Sequence, residues 1–119
     1  MESSTGKGLH ILLTLETKSE ELLMDSRAFL EFTGRMLADK EVEIVGTVNH
    51  IFDNGSFTAA VCLKESHLCI HTWPEFGQLT FDVFLCNYLQ DNTMKVERIA
   101  DEFIHYFKAK TIQKHKIYR

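Results

Sequence analysis

Residues 57–85 read FTAAVCLKESHLCIHTWPEFGQLTFDVFL, and this stretch decides the fold. In its first part Phe57, Ala59, Val61 and Leu63 alternate with Thr58, Ala60 and Cys62, the period of two expected of a strand with one buried face. A second alternating run covers His67 to Trp73, with Leu68, Ile70 and Thr72 on one side and His67, Cys69 and His71 on the other. Only Lys64-Glu65-Ser66 links the two runs. Pro74-Glu75-Phe76-Gly77 then interrupts the pattern, since proline cannot donate to a sheet ladder. Leu79, Phe81, Val83 and Leu85 resume it.

Working outward, Leu9, Ile11, Leu13 and Leu15 make an earlier strand with one strongly apolar face. Thr17 and Glu20 have capping-box spacing, and Leu22, Leu23, Phe29, Leu30, Met36 and Leu37 follow near the helical period, so one helix is expected to about Asp39. Val42, Ile44 and Val48 return to a period of two up to Ile51, and Asp53-Asn54-Gly55 supplies turn residues that tolerate positive φ. Beyond the central stretch a helix is expected from near Asn92, with Val96, Ile99, Ala100, Phe103 and Phe107 on one stripe. Residues 1–7 read as a loose tail. Lys108, Lys110, Lys114, Lys116 and Arg119 read as a solvated basic tail that complements the last helix's C-terminus.

The order is therefore strand, helix, four strands, helix, which implies an α+β two-layer sandwich: a mainly antiparallel sheet with helices on one face. A chain of 119 residues makes a single domain spanning 1–119. Its second sheet face needs a cover, and pairing with a second copy as a dimer or higher homo-oligomer would supply one.

Bulk properties narrow the function. The apolar fraction of 45% and the charged fraction of 25% are those of a globular domain. A formal net charge of -4 argues against nucleic acid as the main ligand. No apolar run reaches membrane-spanning length, and the start, MESSTGKG, lacks the apolar stretch of a signal peptide, so a cytoplasmic location is expected. Three cysteines, Cys62, Cys69 and Cys86, are an odd set without zinc-knuckle spacing and suit reduced thiols.

The alignment of His67, Cys69 and His71 on one face leaves three readings open from the residues alone. They are a zinc site, for which no distant cluster clearly supplies the remaining ligands; an acid/base site; and hydrogen-bonded strand residues without chemistry.

The string Glu65-Ser66-His67-Leu68-Cys69-Ile70-His71-Thr72-Trp73-Pro74-Glu75, followed by Phe81-Asp82-Val83-Phe84-Leu85-Cys86, closely resembles the processing and active-site signature of bacterial and archaeal S-adenosylmethionine decarboxylases. The resemblance implies a proenzyme that cuts itself between Glu65 and Ser66, giving chains 1–65 and 66–119. It implies that Ser66 becomes a covalent pyruvoyl group that holds the substrate amine as a Schiff base and replaces pyridoxal phosphate, with no metal. It further implies that His71 is the processing base, that Thr58 assists processing where the family usually has serine, and that Cys86 is the proton donor. Phe52, Leu68 and Glu75 match substrate-binding positions, Phe52 as the aromatic on adenine and Glu75 as the carboxylate on the ribose hydroxyls. The small-molecule substrate so implied is S-adenosylmethionine, and the product is the aminopropyl donor of spermidine biosynthesis.

The chain departs from the family pattern at Gln78-Leu79-Thr80-Phe81-Asp82, at Asn87 where glycine is common, and at Thr14 where an acidic residue is common. Asn87 tolerates a left-handed backbone better than most residues do, which leaves room for the family's turn in altered form. These positions keep two alternatives in view: an ornithine or arginine decarboxylase on the same pyruvoyl scaffold, and a noncatalytic paralogue.

Overall fold

The computed structural model describes residues 7–88 and 90–119; the tail expected over residues 1–7 therefore lies outside the described residues except for Lys7. Six strands form one antiparallel sheet: β1 (Leu9–Glu16), β2 (Glu43–Ile51), β3 (Phe57–Lys64), β4 (Ser66–Trp73), β5 (Gln78–Leu85) and β6 (Lys110–Tyr118), in the order β2-β3-β4-β5-β1-β6. The helices are α1 (Glu20–Leu23), α2 (Ser26–Asp39) and α3 (Thr93–Tyr106). The expected α+β architecture is what forms.

The alternation read from the sequence sets the two faces. Leu9, Ile11, Leu13 and Leu15 of β1, Phe57, Val61 and Leu63 of β3, Leu68 and Ile70 of β4, and Leu79, Phe81, Val83 and Leu85 of β5 are buried against the helices. Phe29 of α2 and Phe103 of α3 lie at the centre of that layer with ring centroids 5.4 Å apart. Fully burying each such side chain contributes roughly 1.5–3 kcal/mol, so the helix-covered face supplies most of the stability. His10, Thr14, Thr58, His67, Cys69, His71, Thr80 and Asp82 take the alternate positions and form the open face.

Two expectations are corrected. The single helix to Asp39 is two: Met24 closes α1, and Asp25 caps α2 by accepting from the Ala28 amide at 2.9 Å. Ser19 rather than Thr17 caps α1, accepting from Leu22 N at 3.3 Å, while Thr17 donates to the Phe107 carbonyl at 2.6 Å and so fastens β1 to α3.

The basic tail is a sixth strand. β6 pairs with β1 along its length, satisfying the outer edge of a strand whose main chain would otherwise go unpaired. Its lysines are not merely solvated: Lys114 Nζ lies 3.6 Å from Glu97 Oε1 of α3, and Lys116 bonds the other oxygen of the same carboxylate. The charges hid the strand period. No helix among the described residues is long and apolar enough to cross a membrane.

Candidate active site

The β3–β4 connection is one residue long. β3 ends at Lys64 and β4 begins at Ser66, leaving Glu65 alone in the turn. Ser66 carries φ 134°, a backbone region that L residues rarely adopt, at a cost on the order of 1–3 kcal/mol that tends to be kept at functional positions. Ser66 pairs across the sheet with Leu85, which brings the next residue, Cys86, to the same end. The Cys86 thiol donates to Glu65 Oε1 at 2.9 Å. That carboxylate, followed by partial burial, holds the thiol above its ordinary range.

The backbone at Cys86 is fixed by an asparagine clasp. Asn92 Nδ2 donates to the Cys86 carbonyl at 2.9 Å, and Asn87 Oδ1 accepts from the Asn92 amide at 2.7 Å. Asn87 is not among the positive-φ residues, so the loop here is altered from a left-handed turn. Its side chain closes the loop instead.

Thr58, Phe52, His71 and Glu75 collect at the opposite end of the strand. Thr58 faces His71 across the β3–β4 ladder and donates to the Ile70 carbonyl at 3.1 Å. The His71 ring lies 4.1 Å from Trp73 and 5.8 Å from Phe52, centroid to centroid. Glu75 stands in the 3₁₀ turn Pro74–Phe76, where Asn54 reaches its Oε1 at 3.5 Å. Five residues of extended strand at about 3.3 Å each separate Ser66 from His71 by roughly 16 Å. Within one chain Ser66 and His71, expected as cleavage serine and processing base, do not meet. Leu68 is 0% exposed beneath the helices, so its side chain is not offered to the open face.

Between these ends the open face holds a group that sequence reasoning missed. His10 Nε2 lies 2.8 Å and His67 Nε2 2.9 Å from Asp82 Oδ2. Arg119 Nη1 is 3.3 Å from His10 Nδ1, and its guanidinium carbon sits 5.7 Å from the Phe84 ring centre. The three side chains lie close enough to hold a metal ion. Their hydrogen bonding describes something else: a guanidinium only donates, so His10 Nδ1 accepts and Nε2 carries the proton given to Asp82. A metal-bound histidine has the reverse arrangement, its second nitrogen donating to an acceptor. The period-two pattern puts all three residues on the polar face. Their meeting depends on β1 lying beside β5, which local patterning does not reveal.

A cavity of about 480 Å³ opens on this face, lined by Thr14, Thr58, Cys69, His71, Thr80 and Asp82 among others. Cys69 thus lines the cavity, its thiol raised first by burial and then by the Asp82 charge. Cys62 is exposed because the helices cover only the other face. All three cysteines are free.

The profile of the family described as S-adenosylmethionine decarboxylase matches residues 9–119. A protein of Archaeoglobus fulgidus named S-adenosylmethionine decarboxylase proenzyme is 33% identical over 104 residues, covering 87% of this chain and 89% of the relative. One of the same name from Thermodesulfovibrio yellowstonii is 35% identical over 107 residues, covering 87% of this chain and 73% of the relative. The crystal structure of the adenosylmethionine decarboxylase from Aquifex aeolicus superposes with a TM-score of 0.79 at 25% identity, covering 97% of this chain and 90% of that one. The fold, the signature around Ser66 and these relatives agree: the chain belongs to the S-adenosylmethionine decarboxylase family.

Proposed function

We propose that this chain is a proenzyme that cleaves itself between Glu65 and Ser66 and then decarboxylates S-adenosylmethionine. The observation that carries the reading is the single-residue turn, with Ser66 at φ 134° and a thiol bonded to the residue on the other side of the bond to be cut. In the proposed cleavage, the Ser66 hydroxyl attacks the Glu65 carbonyl and the peptide bond becomes an ester. Removal of the Ser66 α-proton then expels the Glu65 carboxylate, and hydrolysis of the resulting dehydroalanine releases ammonia. The products are chains 1–65 and 66–119, the second bearing a pyruvoyl group at its start. A half-buried serine on a strained link beside a thiol fits that group. When present, the pyruvoyl supplies the ketone that draws electrons from the substrate as carbon dioxide leaves.

The surrounding residues take roles by position. Cys86 holds a proton at the edge of the reacting centre and delivers it to the substrate α-carbon. Phe52, 41% exposed beside His71, offers a ring face to adenine. Glu75 offers two acceptor oxygens to the ribose hydroxyls. Leu68 contributes through its main chain alone.

The separation of about 16 Å between Ser66 and His71 supports a site made by two copies. Two sheets facing one another about a twofold axis, with their β4 strands antiparallel, place His71, Thr58 and Phe52 of one copy over Ser66 and Cys86 of the other. The open face then gains its cover, and His71 serves as the base for the partner's serine. Carbon dioxide release from S-adenosylmethionine, with none from ornithine or arginine, is the expected result for purified protein. Release from an amino acid and none from S-adenosylmethionine overturns the substrate assignment.

A further inference from the structure

The Cys86–Glu65 hydrogen bond joins the proposed proton donor to the residue whose carbonyl is attacked during cleavage, across 21 positions of sequence. We propose that the Glu65 side chain is a positioning residue for Cys86: its carboxylate anchors the thiol proton beside the residue-66 carbon, before the cut and after it, when Glu65 is the last residue of the first chain. The inference rests on Cys86 as the proton donor.

Three features support this arrangement. First, the bond is between side chains, so cleavage of the Glu65–Ser66 peptide leaves both partners chemically intact. Second, β3 stays in place after the cut because it is laddered to β2 on one side and β4 on the other, with Glu43 opposite Lys64 and Leu63 opposite Ser66. The new chain end therefore emerges one residue beyond a fixed strand. Third, the asparagine clasp through Asn92 and Asn87 fixes the Cys86 main chain from the other side, so neither partner depends on the scissile bond for its position.

The charges around the thiol favour the protonated form. The cavity at this end, about 260 Å³, is lined by Glu41, Glu43, Lys64, Glu65, Cys86 and Tyr88. Its three carboxylates outnumber its one lysine. Among the described residues only Glu65 bonds the sulfur through a side chain. Cleavage creates a second carboxylate on Glu65, at its own α-carbon, and strengthens the preference for the thiol. A donor kept protonated in this way is ready when the substrate carbon needs a proton. A donor without the anchor is partly thiolate at mildly alkaline pH and is free to swing away.

The test is the pH profile of alkylation at Cys86 by iodoacetamide, read by peptide mass mapping so that Cys62 and Cys69 are scored separately. It is run on the uncut Ser66→Ala chain, with and without Glu65→Gln, and on the cleaved enzyme. Thiolate is the reacting form, so Glu65→Gln is expected to move the midpoint of the Cys86 profile to lower pH. At about pH 8 its rate should rise roughly 3- to 10-fold, a change of half to one pKa unit. Cys69 should be unmoved, and Glu65→Asp should recover part of the shift. In cleaved enzyme, Glu65→Gln should also increase the share of turnovers that end in inactivation, because the proton reaches the wrong carbon. An unchanged Cys86 midpoint in Glu65→Gln overturns the proposal. Full kcat in Cys86→Ala overturns the donor assignment beneath it, and that result is independent of the alkylation profile.

Discussion

The two ends of β4 belong to the same strand but differ in backbone and in the side chains they gather. At the Ser66 end the chain is strained, the connection is a single residue, and a thiol meets a carboxylate. At the His71 end the strand is regular, and Phe52, Trp73, His71 and Thr58 gather there with the Glu75 carboxylate. On the proposed function, the first end supplies the electrophile's precursor and a proton source, and the second supplies a base and a stacking surface. Their separation of roughly 16 Å means that, on the proposed function, a single copy displays these groups without bringing them together.

The largest effect should come from breaking the first end. Ser66→Ala removes the attacking hydroxyl, so the chain is expected to stay at its full mass and decarboxylation to fall to background, as read by intact mass and carbon dioxide release. It should still fold, because Ser66 is only half-buried and its partner Leu85 remains packed.

Asp82 lies between the ends and holds His10 and His67 together. Asp82→Asn replaces two charge-assisted bonds with weaker ones, and a loss of about 1–3 kcal/mol in urea unfolding is expected. A loss confined to activity, with stability unchanged, would make the cluster part of the chemistry instead of the scaffold.

Changing the second end should separate binding from turnover. Phe52→Ala removes a ring that is 41% exposed and packs against His71, so KM for S-adenosylmethionine is expected to rise about tenfold. Cleavage should remain near normal, since the Ser66 hydroxyl and the His71 ring are both kept. Cleavage lost along with binding would mean that Phe52 positions His71 rather than substrate.

The smallest effect is a control remote from both ends. Glu97→Gln breaks the pairing of α3 with Lys114 and Lys116 of β6, and a cost of about 0.2–1 kcal/mol is expected for a partly exposed ion pair. Bonding to Lys116, the leading cause, and attraction to Lys114 hold the Glu97 carboxyl below its usual range. The sign follows from that depression. The contribution is complete above the unfolded value, near pH 4.3, and disappears as pH falls through the lower folded value. Denaturation midpoints of the parent and Glu97→Gln should therefore converge in acid.

Much of this was legible in the sequence because strand alternation is local. The pattern through residues 57–85 identifies β3, β4 and β5, their buried sides and the polar row of His67, Cys69 and His71. The signature at Glu65-Ser66 fixes the candidate cut without any knowledge of strand order. The His10–Asp82–His67 group was not legible, because β1 reaches β5 only through the sheet's topology. β6 was obscured for a different reason. Lysines at 114 and 116 occupy positions that alternate toward the helix side, and their neutralisation by Glu97 is a tertiary contact. The break at Met24-Asp25 was likewise set by a cap against an otherwise continuous helical pattern.

The proposal that two copies complete one site is tested most directly by producing His71→Ala and Ser66→Ala chains separately and together, with intact mass as the readout. Each alone is expected to remain uncut. Together, the His71→Ala chain should be cleaved into residues 1–65 and 66–119, because its own Ser66 meets the His71 of its Ser66→Ala partner. Efficient cleavage of His71→Ala by itself, or no fragments from the mixture, would contradict the account.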